Sequence, residues 1–226
     1  MLGMRFIKSQ PTTHLMQFRK GKVVREGAGQ SFFYYGPTST VVAVPVGSQD
    51  RPFILELVTV DFQSITVQGQ VTFRVTDPRR IASLMDFSLA PDGRGFTSED
   101  PQRLGERVAM QAEVIVRQTV QQMDLKQALR SSASIAQDCQ QRLASQAEVM
   151  ALGLEVLGVS VLAIKPTPDM ARALEAEARE SNLKAADEAI FQRRMSAVEN
   201  ERAVRESELD TDVAVEQKKR QISEAQ

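Results

Sequence analysis

Residues 169–226 contain neither glycine nor proline and are dominated by Ala, Glu, Arg, Lys and Gln. This run predicts one uninterrupted helix, because those residues favour helix intrinsically and none of them breaks its hydrogen-bond ladder. Pro166-Thr167-Pro168-Asp169 is a hard boundary before it. Thr167 offers a capping hydroxyl, and Pro168 suits the first helical turn. Glu175/Arg179, Glu180/Lys184, Glu201/Arg205 and Glu216/Arg220 lie at the favourable i,i+4 spacing and orientation. At about 1.5 Å per residue the helix reaches roughly 85–90 Å. No head built from the rest of the chain can bury such a rod along its whole length.

Large apolar residues on the rod are sparse: Met170, Leu174, Leu183, Ile190, Phe191, Met195, Val198, Val204, Leu209, Val213, Val215 and Ile222. They keep no strict seven-residue register, which argues against a simple two-stranded zipper. One reading is a solvated rod held by its ion pairs. Such pairs contribute only about 0.2–0.5 kcal/mol each, and this reading leaves Ile190 and Phe191 exposed for no gain. Packing against copies of itself is the better reading, since most helix stability comes from an apolar face finding a partner. The expected contacts of this coiled-coil-like wall are Leu183, Ile190, Phe191, Met195, Val198 and Leu209. The helical pattern meets no stop signal before Gln226, as expected of a longer parent chain.

The remaining sequence is a mixed head. Ser64–Val75 alternates, with Ile65, Val67, Val71, Phe73 and Val75 on one side and Gly69 as a gap in that row. Period two over this length predicts a strand with one buried face. Val41–Val46 and Phe53–Val60 read as partner strands, with Gly47-Ser48-Gln49-Asp50-Arg51-Pro52 as the turn between them. Gly21, Gly27 and Gly29 mark an earlier hairpin. Beyond Pro101 the period changes: Leu104, Val108, Ala112, Ile115, Thr119 and Met123 form one helical face. A second helix is expected after Ser131–Ser134, capped by Ser134 or a neighbouring serine, with Ile135, Cys139, Leu143, Ala147 and Met150 buried. The β-branched run Leu154–Ile164 reads as a well-buried closing strand. The fold class is therefore α+β: residues 1–78 β-rich, 79–166 α/β, and 167–226 the helix.

Composition excludes several functions. The 28 Lys and Arg balance 29 Asp and Glu, so no global charge excess points to nucleic acid. Cys139 is the single cysteine, which cannot form an internal disulfide and suits a cytoplasmic address. Met1–Lys8 is interrupted by Arg5, too short for a signal-peptide core or a membrane span. No window approaches the roughly 18 apolar residues of a membrane helix.

The order of these features resembles the SPFH family of stomatin, prohibitin, flotillin and the bacterial protease-associated members. Gly21-Lys22-Val23-Val24-Arg25-Glu26-Gly27 resembles its first hairpin. Asp61-Phe62-Gln63 and Val67 through Asp77-Pro78 resemble its central strands. Gly153-Leu154-Glu155-Val156 to Ile164-Lys165-Pro166 resembles its closing strand, followed by the Ala/Glu/Arg-rich helix. The resemblance implies an SPFH head of two small α/β subdomains and a helix packed beside its neighbours. It further implies rings or cages, commonly on a membrane, that enclose or organise proteins and lipids. The apolar anchor typical of members is missing before this head, which favours a soluble or peripheral assembly.

Other motifs carry bland readings. Phe32, Phe33, Tyr34 and Tyr35 are the candidate membrane contact if they form a loop tip. In a strand they split between two faces, two toward a core and two over a sheet edge. His14, without clustered ligands, makes a poor metal site. Cys139 reads as a buried thiol. Gly27-Ala28-Gly29 lacks the remainder of a phosphate loop. Ser131, Ser132 and Ser134 read as caps, with no partner base. No catalytic constellation, cofactor site or small-molecule substrate is expected. The expected function is a non-enzymatic homo-oligomeric scaffold; its rival is a peripheral membrane adaptor or a regulator of a membrane-associated protease.

Overall fold

The computed structural model describes residues 3–93 and 95–224, with side chains as far as Lys219. The described residues divide into two units at Thr167/Pro168.

Ten strand residues on each side of a shared ladder organise the first unit. The alternation becomes β7 (Ser64–Val75), paired antiparallel with β6 (Gln49–Val58) and, on its other side, with β8 (Leu154–Pro166). Ile65, Val67, Val71, Phe73 and Val75 are all buried. Facing Gly69 across the ladder is Phe53, whose ring covers the gap in that row. The expected turn over residues 47–52 is shorter than the sequence suggested, because Gln49 to Pro52 already belong to β6. Pro52 is tolerated there because β6 is an edge strand.

β8 departs from the well-buried strand expected. It is the opposite edge of the sheet, and two bulges interrupt its pairing. Leu162 is skipped between Val161 and Ala163, and Leu157 between Val156 and Gly158. Both skipped leucines are exposed, because a bulged residue loses its place in the pleat. This sheet joins residues on both sides of position 78.

Earlier strands form two smaller sheets. β1 (Met4–Lys8) pairs with β4 (Ser31–Tyr35), while β2 (Thr13–Arg19) lies between β3 (Lys22–Ala28) and β5 (Ser39–Pro45). The β2–β3 hairpin turns at Lys20 and Gly21, both at positive φ, as a tight two-residue turn requires. Leu15, Phe32, Tyr34, Val41 and Ala43 form one core cluster.

Asp77-Pro78 ends β7 and also starts a short helix, α1 (Pro78–Leu84), with the Asp77 carboxylate accepting from Arg80 N at 3.0 Å. α2 (Asp100–Val120) packs on β6 and β7. Its buried face continues through Val116 and Val120; Thr119 is only half-buried, and Met123 lies beyond the helix. The expected second helix is three pieces: α3 (Leu125–Arg130), α4 (Ser132–Ala144) and α5 (Ala147–Ala151). Ile135, Cys139 and Leu143 are buried as expected. The break at Ser145-Gln146 then shifts the helical phase, so Val149 is buried while Ala147 and Met150 are exposed. Ser134 is not a cap, since its hydroxyl donates back to Ser131 O at 3.0 Å.

The second unit is α6 (Pro168–Glu224), a single helix of 57 residues. Glu180 bridges Lys184 at 2.9 Å and Glu201 bridges Arg205 at 2.8 Å. The side chains of Arg220 and Ile222 lie outside the described residues.

Candidate interaction surfaces

On α6, the six expected wall residues are all exposed, between 46% and 64%. With 3.6 residues per turn they span an arc of roughly 140°, led by Leu183, Ile190, Val198, Phe191 and Leu209 and bounded by Met195. Val204 and Val215, also exposed, widen it, and exposed Val213 falls on its Met195 edge. A stripe of this width exceeds the narrow seam of a two-stranded coil and resembles the face of a helix packed in a larger layer.

The second surface is the β1–β4 ribbon. Phe32, Phe33, Tyr34 and Tyr35 lie in a strand and not at a loop tip. Phe32 and Tyr34 point into the core at 6% and 7% exposure, so they are unavailable to a membrane. Phe33 and Tyr35 point outward. Pairing sets Phe6 opposite Phe33 and Met4 opposite Tyr35. The Phe6 and Phe33 ring centroids are 4.8 Å apart. Met4, Phe6, Phe33 and Tyr35, all exposed, thus make one apolar face. Sequence reasoning missed Met4 and Phe6. Their two-residue spacing was the available signal, but no partner strand could be assigned to them.

Charge along the amino-terminal sequence that includes this ribbon is one-sided. Residues 1–49 carry Arg5, Lys8, Arg19, Lys20, Lys22 and Arg25 against one acid, Glu26. All six basic residues are exposed, whereas Glu26 is bridged by Arg79 through Arg79 Nε and Nη2. Arg25 lies 5.8 Å over the Phe32 ring. The near-zero global charge conceals this local basic excess.

The polar candidates do not converge. His14 is half-buried beside Val46 and Arg74. Cys139 is wholly buried, its Sγ directed at Ala112 O at 3.8 Å. Burial, followed by the Asp138 charge, pushes its thiol up to about 11, the opposite of what a nucleophilic cysteine requires. Ser131 occupies the N-cap of α4 without a side-chain capping bond. Gly27 and Ala28 belong to β3, with no helix start behind them to hold a phosphate. Among the described residues no three His, Cys, Asp or Glu side chains gather into a metal-binding group, and no helix is long and apolar enough to cross a membrane.

Comparison with known proteins adds one match and one absence. The sequence profile described as SPFH domain / Band 7 family matches residues 7–220. No curated protein matches the chain.

Proposed function

Since the chain belongs to the SPFH domain / Band 7 family, known for membrane-associated scaffolding and generally non-enzymatic, we propose that it is an oligomeric scaffold. Its heads and long helices pack into a ring or cage that encloses or clusters proteins or a membrane patch. The observation that carries this reading is α6: a 57-residue helix with a broad apolar stripe. Exposing Ile190 and Phe191 to water brings no gain to a single chain, whereas neighbouring helices bury them. Homo-oligomerisation through Leu183, Ile190, Phe191, Met195, Val198 and Leu209 follows from that argument.

Light scattering after size exclusion, without detergent, tests it. A large discrete species is expected, and Ile190→Lys with Phe191→Lys reduces it to small species while the head stays folded. Intact assemblies in the double variant would falsify the wall contact.

A second reading has its own support. The apolar face Met4, Phe6, Phe33 and Tyr35, among basic residues, suits the headgroup layer of an anionic membrane. It complements the scaffold by giving the assembly a means of lying on a membrane.

A further inference from the structure

The β2–β3 hairpin breaks two local rules at one turn. Arg19 stands directly opposite Lys22, a like-charge pair that weakens a two-stranded ladder. Lys20 holds the first turn position at φ 51°, where Asn, Asp or Gly is the ordinary choice because a longer side chain is strained there. Arg19, Lys20 and Lys22 thus crowd three cations around Gly21 against the preference of the fold, and such a conflict is retained where it serves a contact. All three are exposed. None of them has an ion-pair partner among the described residues.

Pairing places this turn beside one end of the apolar ribbon. Arg19 pairs with Ser39 of β5, and Ser39 N donates to Gly36 O to close a single 3-10 turn, Gly36–Thr38. Gly36 N donates to Gly3 O at 2.8 Å, next to the Met4–Tyr35 pair that ends the ribbon. Four residues from Tyr35 to Ser39 span at most about 14 Å even when extended, so the cations and the Met4–Tyr35 pair share one end of the small sheets. Arg5 joins them: its side chain lies against Gly36, and it too is exposed and outside every ion pair among the described residues. Glu26 sits further along β3, opposite Met16, and is engaged by Arg79. Asp92, in the loop beyond the Leu89 N–Val41 O bond, is separated from the hairpin by β5.

Four unpaired cations beside exposed Met4 and Tyr35 suit a partner that is anionic at its surface and apolar beneath. A soluble polyanion offers nothing to the apolar residues, whereas a bilayer containing acidic phospholipid satisfies both. We propose that the Arg19–Lys22 turn, with Arg5, binds the headgroups of acidic phospholipids. The head then meets the bilayer end-on, leading with this turn and the Met4–Tyr35 end of the ribbon. This deepens the membrane reading, on which it rests, by naming the charged contact and the end of the head that carries it.

The test is co-sedimentation of the full chain with phosphatidylcholine vesicles, with and without phosphatidylserine. Lys20→Gln with Lys22→Gln is expected to weaken partition onto the phosphatidylserine vesicles about 25-fold, at about fivefold per cation near an anionic surface, and to flatten its salt dependence. Its melting temperature should equal or exceed that of wild type, because the repulsion between Arg19 and Lys22 is relieved. Lys20→Arg with Lys22→Arg keeps the charge and should bind as wild type does. A polarity-sensitive fluorophore on Thr38→Cys, beside the turn, should shift to the blue on these vesicles, while one on Gln10→Cys, beyond the other end of β1, should not; both positions are exposed and Cys139 is buried. Undiminished binding of the glutamine variant, weakened binding of the arginine variant, or a blue shift at position 10 alone would overturn the headgroup contact. If Phe33→Ser with Tyr35→Ser still abolishes binding in that case, the apolar membrane reading stands without it. A wild-type chain that binds neither kind of vesicle removes both, and retention by RNA in place of vesicles would assign the turn to a soluble polyanion and overturn the lipid contact.

Discussion

Phe53 stands directly across the β6–β7 ladder from Gly69, and its ring occupies the space a side chain at Gly69 would fill. A Cβ there would also lie 2.6 Å from the backbone oxygen of Ser160 on β8. The ring can be displaced at some cost, but the β8 backbone is fixed by its own pairing. Gly69→Ala is therefore expected to destabilise the head by about 1–3 kcal/mol, the usual range for overpacking. The shift of its urea midpoint measures this, and an unchanged midpoint would show that the sheet can open there.

Gly105 supplies a contrast. Arg51 lies across it, and the three atoms nearest to a Cβ at that position, the closest being Nε at 2.0 Å, all belong to the flexible Arg51 side chain. Arg51 Nε has no hydrogen-bond partner to lose. Alanine in a helix interior recovers about 1 kcal/mol over glycine, which offsets the displacement. Gly105→Ala should shift the midpoint much less than Gly69→Ala. The reverse order would contradict the packing described for both glycines.

Glu26 on β3 clasps Arg79 on α1. The Arg79 hydrogen bond, then its charge with a smaller contribution from His14, lowers the Glu26 carboxyl below its ordinary 4.5. Folding thus favours the ionised form. Its contribution is fully present above pH 4.5 and is lost as pH falls through the lowered folded value. Melting temperatures across pH 2–6 should show wild type above Glu26→Gln at the upper end, with the gap closing toward the acid end. A gap that widens on acidification would reverse the assigned sign.

Cys139 reports global opening. Its raised thiol and complete burial predict reaction with a disulfide reagent at pH 8 at least about 100-fold slower than a free thiol, rising to the free rate in denaturant. Rapid labelling of the native chain would mean that α4 separates readily from α2.

Membrane contact is tested on the outward residues alone. Phe33→Ser with Tyr35→Ser should abolish co-sedimentation with phosphatidylserine vesicles and leave the melting temperature nearly unchanged. Phe32→Ser is the wrong probe, because that ring is in the core. Binding should also weaken with salt if the six basic residues contribute. Undiminished sedimentation of the double variant would remove this face from the membrane reading.

Periodicity alone determined β7, the first stretch of α2, the Ile135–Cys139–Leu143 face and the whole of α6, because each is a local pattern repeated over many residues. The spacing of apolar residues along α6 likewise marked its exposed stripe, and the order of these elements indicated the family. Tertiary structure decided the rest. Which of four consecutive aromatics faces outward depended on β1 pairing with β4, a partnership between segments more than twenty residues apart. The bulges that expose Leu157 and Leu162 arise from register with β7. Phe62 reads as an ordinary apolar residue until the bonds from Thr59, Asp61 and Leu125 hold it at positive φ. Alternation and helical period are properties of one segment, whereas register, strain and local charge belong to segments brought together, and only the folded chain specifies those neighbours.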